Sequence, residues 1–161
     1  MTDGAEKRPA GEPISGQLAL CAFVEKSHLF RKVAQEDLGQ IYAAGRLLRL
    51  KAGECIVNEG DGGDELFLVV QGTVQVIGGS GGRQVELARL SRGAIFGEVG
   101  FLTGRPRTAS VVAHDAVELI RFSRADLEPL LQHYPKVRKT LQKMMSARAE
   151  KTIATMEKDT G

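Results

Sequence analysis

From Arg46 to Phe122 the apolar residues fall on a period of two, and this pattern limits the fold more than any other feature of the chain. The segments LLRLKAG, ECIVNEG, ELFLVVQG, TVQVIGG, RQVELARL, TASVVA and AVELIRF read as short strands, each bounded by Gly, Asp, Asn or Ser. Most of the 19 glycines lie between residues 53 and 104, where a run of tight turns needs them. Strands at this regular spacing predict an antiparallel sandwich or barrel. GGSGG at 78–82 is the loosest turn and predicts a mobile hairpin tip.

Both flanks change character. Residues 1–16, MTDGAEKRPAGEPISG, are polar and rich in Pro and Gly, which predicts a disordered leader. From Gln17 to Gly45 the pattern is helical: Leu18, Leu20, Phe23 and Val24, then Leu29, Phe30, Val33, Leu38, Ile41 and Tyr42. Gly39 and the QED cluster divide it into two short helices. Beyond Ser123 the period returns to 3.6. Ser123 is the expected N-cap, with Asp126 three residues on. SRADLEPLLQHY gives one helix, and Pro135 marks its end or a kink. A second, basic helix carries Val137, Leu141, Met144, Met145, Ile153 and Met156 on its apolar face. The domain therefore reads as 17–158: N-terminal helices at 17–45, a β core at 46–122 and C-terminal helices at 123–158. Its class is α+β, mainly β with flanking helices.

Several function classes are set aside by composition. The net charge of +2 gives no overall drive toward nucleic acid or membrane. No apolar run reaches the ~18 residues of a spanning helix, and the polar N-terminus is no signal peptide, so a soluble, cytoplasmic chain is expected. Cys21 and Cys55 are far apart, form no zinc or CxxC motif, and read as reduced thiols. His28, His114 and His133 are isolated, so no metal is expected, and His114-Asp115 reads as a turn between strands. No Ser, Cys or Thr is flanked by a base in a nucleophile motif, so no enzyme is expected.

One segment between strands is not a strand. GEVGFLTG at 97–104 is too rich in glycine for one, and Glu98 followed by Phe101 and Leu102 suits a short helix, whose N-terminus offers unpaired N–H groups to an anion. In the longer stretch FGEVGFLTGRPRTASV, residues 96–111, Glu98 and Arg107 stand nine residues apart in otherwise apolar surroundings. They either pair with each other or face a ligand. Arginine offers parallel N–H donors that fit a phosphate, where lysine offers a point charge. A carboxylate is the natural acceptor for a sugar hydroxyl. Gly97 and Gly100 permit close backbone approach, and Pro106 restrains the entry to Arg107.

That stretch resembles the phosphate-binding cassette of the cyclic nucleotide-binding domain family, which includes catabolite activator proteins, protein kinase A regulatory subunits and cyclic nucleotide-gated channels. EGDGGDELFLVVQGTVQV resembles the family's hairpin and GAIFGE its lead-in strand, and the likeness extends over 17–158. The resemblance implies a double-stranded β-helix jelly roll, with N-terminal helices and C-terminal B and C helices. It implies a cassette of Phe96, Gly97, Glu98, Val99, Gly100, Arg107, Thr108 and Ala109. Arg107 would pair with the cyclic phosphate, and Glu98 would accept the ribose 2′-hydroxyl. The amides of Val99, Gly100 and Thr108 would line the phosphate, and the Thr108 hydroxyl would lie near phosphate or purine. The C-terminal helix would act as a lid, with Met144, Met145, Arg148 and Ile153 as candidates for purine contact. The ligand implied is cAMP or cGMP, since Thr108 suits either, and the output would pass through the C-terminal helices. A homodimer seam along Val137, Leu141, Met145 and Ile153 competes for the same apolar face of that helix, and an effector protein in trans is the other partner expected. Two alternatives place the domain in a catabolite-activator-type transcription regulator or in a channel. The chain stops at Gly161 without room for a winged helix-turn-helix, so no direct DNA binding is expected. Met1 followed by a polar leader stands against preceding membrane helices.

Overall fold

Five consecutive apolar residues, Leu66 to Val70, form the centre of the molecule. The structure, a computed structural model, describes residues 11–80 and 83–160. In chain order the strands are β1 (Glu12–Pro13), β2 (Arg46–Leu50), β3 (Cys55–Val57), β4 (Leu66–Gln71), β5 (Val74–Ser80), β6 (Arg83–Leu90), β7 (Ile95–Phe96), β8 (Ser110–Ala113) and β9 (Val117–Phe122). The helices are α1 (Leu18–Glu25), α2 (Leu38–Ala44), α3 (Glu98–Thr103), α4 (Arg124–His133) and α5 (Pro135–Thr160), with a 3₁₀ turn at Gln35–Asp37. Two antiparallel sheets result, ordered β1-β2-β9-β4-β7 and β3-β8-β5-β6. Together they make the jelly roll.

Strand β4 explains how the layers stack. Phe67 and Val69 enter a core between the two sheets, with Val117 and Leu119 of β9 and Phe96 of β7. Leu66, Leu68 and Val70 face the other way, into a second core shared with Ile120, Phe122 and the helices. Strict alternation fails in β4 because both of its faces are buried. The layers are therefore helices, five-stranded sheet and four-stranded sheet. Phe30, from the turn after α1, meets Phe122 edge-on at 5.5 Å between ring centroids.

The ends of the domain depart from the sequence reading. Part of the expected disordered leader is ordered: Glu12 and Pro13 pair with β2, and Ile14 is fully buried. Gly45 makes room for it, since a Cβ there would lie 2.6 Å from the Ile14 side chain. Residues 1–10 of that leader lie outside the described residues, as do residues 81 and 82 of the expected mobile tip. At the other end the structure decides between the two readings of Pro135: it follows the end of α4 and opens α5, as its fixed φ and missing N–H favour. Between α4 and α5, the Tyr134 hydroxyl donates to Asp37 Oδ2 and accepts from the Ala34 amide. The Asp37 hydrogen bond and partial burial hold that phenol above its usual pKa. Val137 and Leu141 are buried in the chain's own helical-side core, so they are not available for the expected dimer seam. Among the described residues, no helix is long and apolar enough to cross a membrane.

Ser123 caps α4 as its sequence position suggests, its hydroxyl accepting from the Asp126 amide at 3.2 Å. Replacing Ser123 by Ala leaves that amide without its acceptor and is expected to lower stability by about 1 kcal/mol, read as a shifted urea midpoint with unchanged slope.

Candidate functional site

Arg107 follows α3 and is only 6% exposed. Its backbone is locked to a loop some 45 residues earlier in the chain: the Arg107 amide donates to Asp61 O and the Gly60 amide donates to Arg107 O, both at 2.8 Å. Its Nη1 donates to the carbonyls of Glu65, at 3.2 Å, and Gly97, at 3.4 Å. The guanidinium carbon lies 5.8 Å from the Phe67 ring centroid, and Phe67 in turn stacks on Phe96 at 4.9 Å.

Three glycines surround the guanidinium. A Cβ on Gly63 would sit 2.9 Å from Nη2, and one on either Gly97 or Gly100 would sit 3.1 Å from Nη1. Gly97 also has φ +89°, a left-handed conformation that lets β7 turn directly into α3. Gly100 lies against the carbonyl of Gly63, 2.4 Å from where a Cβ would be. Sequence reasoning identified Gly97 and Gly100 but missed Gly63, Asp61 and Glu65. The available signal was the GDGGDE run itself, which is denser in glycine than a simple strand connection needs.

Glu98 opens α3 and is 5% exposed. Its Oε1 accepts from Arg148 Nη1 of α5 at 2.6 Å. This charge-assisted contact carries the C-terminal helix onto the cassette. The helix α3 has only six residues, so its dipole is short and the positive charge of the site comes mainly from arginine.

Glu98 and Arg107 both line one cavity of about 550 Å³, a size suited to a small organic ligand. Phe96, Gly97, Val99, Gly100, Thr108 and Ala109 line it as well, so all eight cassette residues meet there. Val57, Val76, Leu87, Leu90 and Val111 give it an apolar strand wall. From α5 come Met145, Arg148 and Ile153, together with Ser146, Ala149, Lys151 and Thr152, which the sequence reading did not name. The spacing 145, 148, 149 and 152 is one helical face, the signal that would have found Thr152. Met144 lies elsewhere. It packs against the helical-side core, one helical step away from Met145. No group of three or more His, Cys, Asp or Glu side chains among the described residues could hold a metal ion.

The chain was compared with known proteins. Cyclic nucleotide-gated channel beta-3 of Canis lupus familiaris is 37% identical over 158 residues, covering 90% of this chain but 19% of the channel subunit. This chain thus corresponds to about a fifth of that protein. A crystal structure of a cyclic nucleotide-binding domain from Methylobacillus flagellatus superposes with a TM-score of 0.72 at 26% identity, covering 92% of this chain and 87% of that one. The regulatory domain of Toxoplasma gondii PKA, crystallised with cAMP, gives a TM-score of 0.75 at 24% identity over 83% of this chain and 51% of that one, a likeness of fold. The family model described as cyclic nucleotide-binding domain matches residues 47–134, from β2 through the whole cassette to the end of α4. The chain belongs to the cyclic nucleotide-binding domain family.

Proposed function

We propose that this domain is a sensor of cAMP or cGMP that reports ligand through its C-terminal helices. The observation that carries the reading is the convergence of a buried arginine and a buried carboxylate on the wall of one cavity. A cyclic nucleotide has one anionic phosphate, a ribose hydroxyl and a flat apolar-faced base. Arg107 pairs with the phosphate oxygens, Glu98 accepts the 2′-hydroxyl, and the amides of Val99 and Gly100 complete the phosphate site. The base lies between the apolar strand wall and α5, where Met145, Arg148 and Ile153 meet it. Glu98 then serves two partners, since its carboxylate also anchors Arg148. Ligand at Glu98 changes the contact that docks α5, which gives the ligand different affinities for the docked and undocked states and so a means of shifting between them. The domain acts by binding, in the cytoplasm, with an effector or a second copy as the receiver.

A second reading sets this domain inside a longer channel polypeptide, favoured by the 37% identity to a channel subunit of which the chain matches 19%. The coding sequence on either side of this segment decides it, since a channel requires membrane-spanning helices upstream.

Calorimetric titration with cAMP and with cGMP tests the main reading. At least one is expected to bind with a Kd well below millimolar. Arg107→Ala removes charge-assisted hydrogen bonds of about 1.5–3 kcal/mol each and should raise Kd a hundredfold or more. Arg107→Lys should recover little of the loss, because an ammonium lacks the planar fork. Unchanged affinity in the alanine variant would sink the proposal. Gly63→Ala probes the cradle instead of the ligand contact. Its new methyl crowds the guanidinium, and overpacking of this kind costs about 1–3 kcal/mol. Roughly tenfold weaker binding with a retained circular dichroism spectrum is the expected result.

A further inference from the structure

The short helix α3 is gripped at both ends by arginines from the C-terminal helices. Arg148 of α5 holds Glu98 at its start. At its other end Arg124, the first residue of α4, donates through Nη1 to Phe101 O at 3.0 Å and Leu102 O at 3.4 Å. These are carbonyls of the last helical turn, which have no donor within the helix, and a cation suits that end of the dipole. Arg124 does not act alone. Its Nε donates to Glu128 Oε1 at 3.0 Å, and the other carboxylate oxygen accepts from Arg138 Nη2 of α5 at 3.1 Å.

We infer that Arg124 is a positioning residue for the cassette, and that the chain Arg124–Glu128–Arg138 carries the position of α3 to α5 by a route separate from the Glu98–Arg148 pair. The inference rests on the proposed nucleotide binding at the start of α3. The three side chains are about one-third exposed, and ion pairs in such settings add little stability individually. Their geometry is the point. Both oxygens of Glu128 are engaged by arginines from two different helices, and Arg124 adds the backbone of a third. A ligand that displaces the start of α3 also displaces its end. The Arg124 fork must then follow with α4, or release the carbonyls.

The test is hydrogen–deuterium exchange of residues 135–155, with and without saturating cAMP or cGMP, alongside calorimetric Kd values. In the wild-type chain, nucleotide should slow exchange in α5. Glu128→Gln should bind nucleotide within about threefold of wild type, yet lose half or more of that ligand-linked protection. Arg138→Gln, which leaves the Arg124–Glu128 contact in place, should do the same and serves if the first variant folds poorly. Arg124→Gln should in addition weaken binding roughly tenfold, and Arg124→Lys should recover part of it. A merely structural role predicts lower melting temperatures with undiminished ligand-linked protection, and that result would overturn the inference while leaving nucleotide binding intact. Failure of the wild-type chain to bind either nucleotide would overturn the binding reading itself, and this inference with it.

Discussion

Keeping a guanidinium buried in a largely apolar wall is the constraint on which the rest of this structure depends. A buried charge is costly unless hydrogen bonds replace its water, and the cost falls on the fold before any ligand arrives. Arg107 meets it with the carbonyls of Glu65 and Gly97 and with the face of Phe67. Those acceptors come from two separate places in the chain, so the loop before β4 and the turn before α3 must be brought together. The pairing of β4 with β7, Phe67 opposite Phe96, does this, and the reciprocal backbone hydrogen bonds between Arg107 and residues 60–61 tie the arginine to the same loop. Gly63, Gly97 and Gly100 then leave the side chain its space, at the entropic cost that glycine always carries. The loop 58–65 is therefore part of the arginine's holder, although none of its residues lines the cavity.

Glu98 poses the complementary problem. Its carboxylate is as buried as the guanidinium, but its partner comes from a helix 50 residues away in sequence. Arg107 is held by strand and loop backbone, which gives it a fixed position. Glu98 is held by a side chain from the distal part of α5, a helix whose first turns are packed into the core through Val137 and Leu141. One end of the cassette is thus built into the scaffold, and the other is tied to a side chain of a separate helix. On the proposed function, this division places recognition of the phosphate on rigid ground and response to the ribose on movable ground.

Much of this was legible in sequence where the signal was local. The strands follow from their apolar spacing, α3 from its interruption of that spacing, and the Ser123 cap from two residues three apart. The cassette is also local, two runs at 96–100 and 107–109 within one short stretch, so its eight residues could be named together. What escaped depends on distance or phase. Gly63 and Glu65 reach Arg107 from more than 40 residues away, and nothing in their own neighbourhood shows which side chain they hold. Met144 and Met145 are equal in chemistry, and only the rotation of α5 sends one to the core and the other to the cavity. Arg148 was named among the candidates for the site and does line the cavity, but its partner Glu98 was not foreseen, because the register between helix and cassette is tertiary. Ile14 was hidden by polar and Pro-Gly neighbours that resemble a disordered tail.

The two ends of the cavity differ in a way that bears on ligand choice. The strand wall supplies Val57, Val76, Leu87 and Leu90, which give any base an apolar face but no hydrogen bonds that tell one base from another. The hydroxyls and charges that could discriminate come from Arg105 and Thr108 beside α3 and from Ser146, Arg148, Lys151 and Thr152 on α5. Most of the polar contacts available to a base therefore exist only while α5 is docked. Discrimination of this sort amounts to ~1–3 kcal/mol per contact, enough to shift the docking of one helix considerably. On the proposed function, a nucleotide whose base mismatches α5 is still gripped by Arg107 through its phosphate. It would bind and yet fail to hold the helix, so occupancy and response need not rank ligands in the same order.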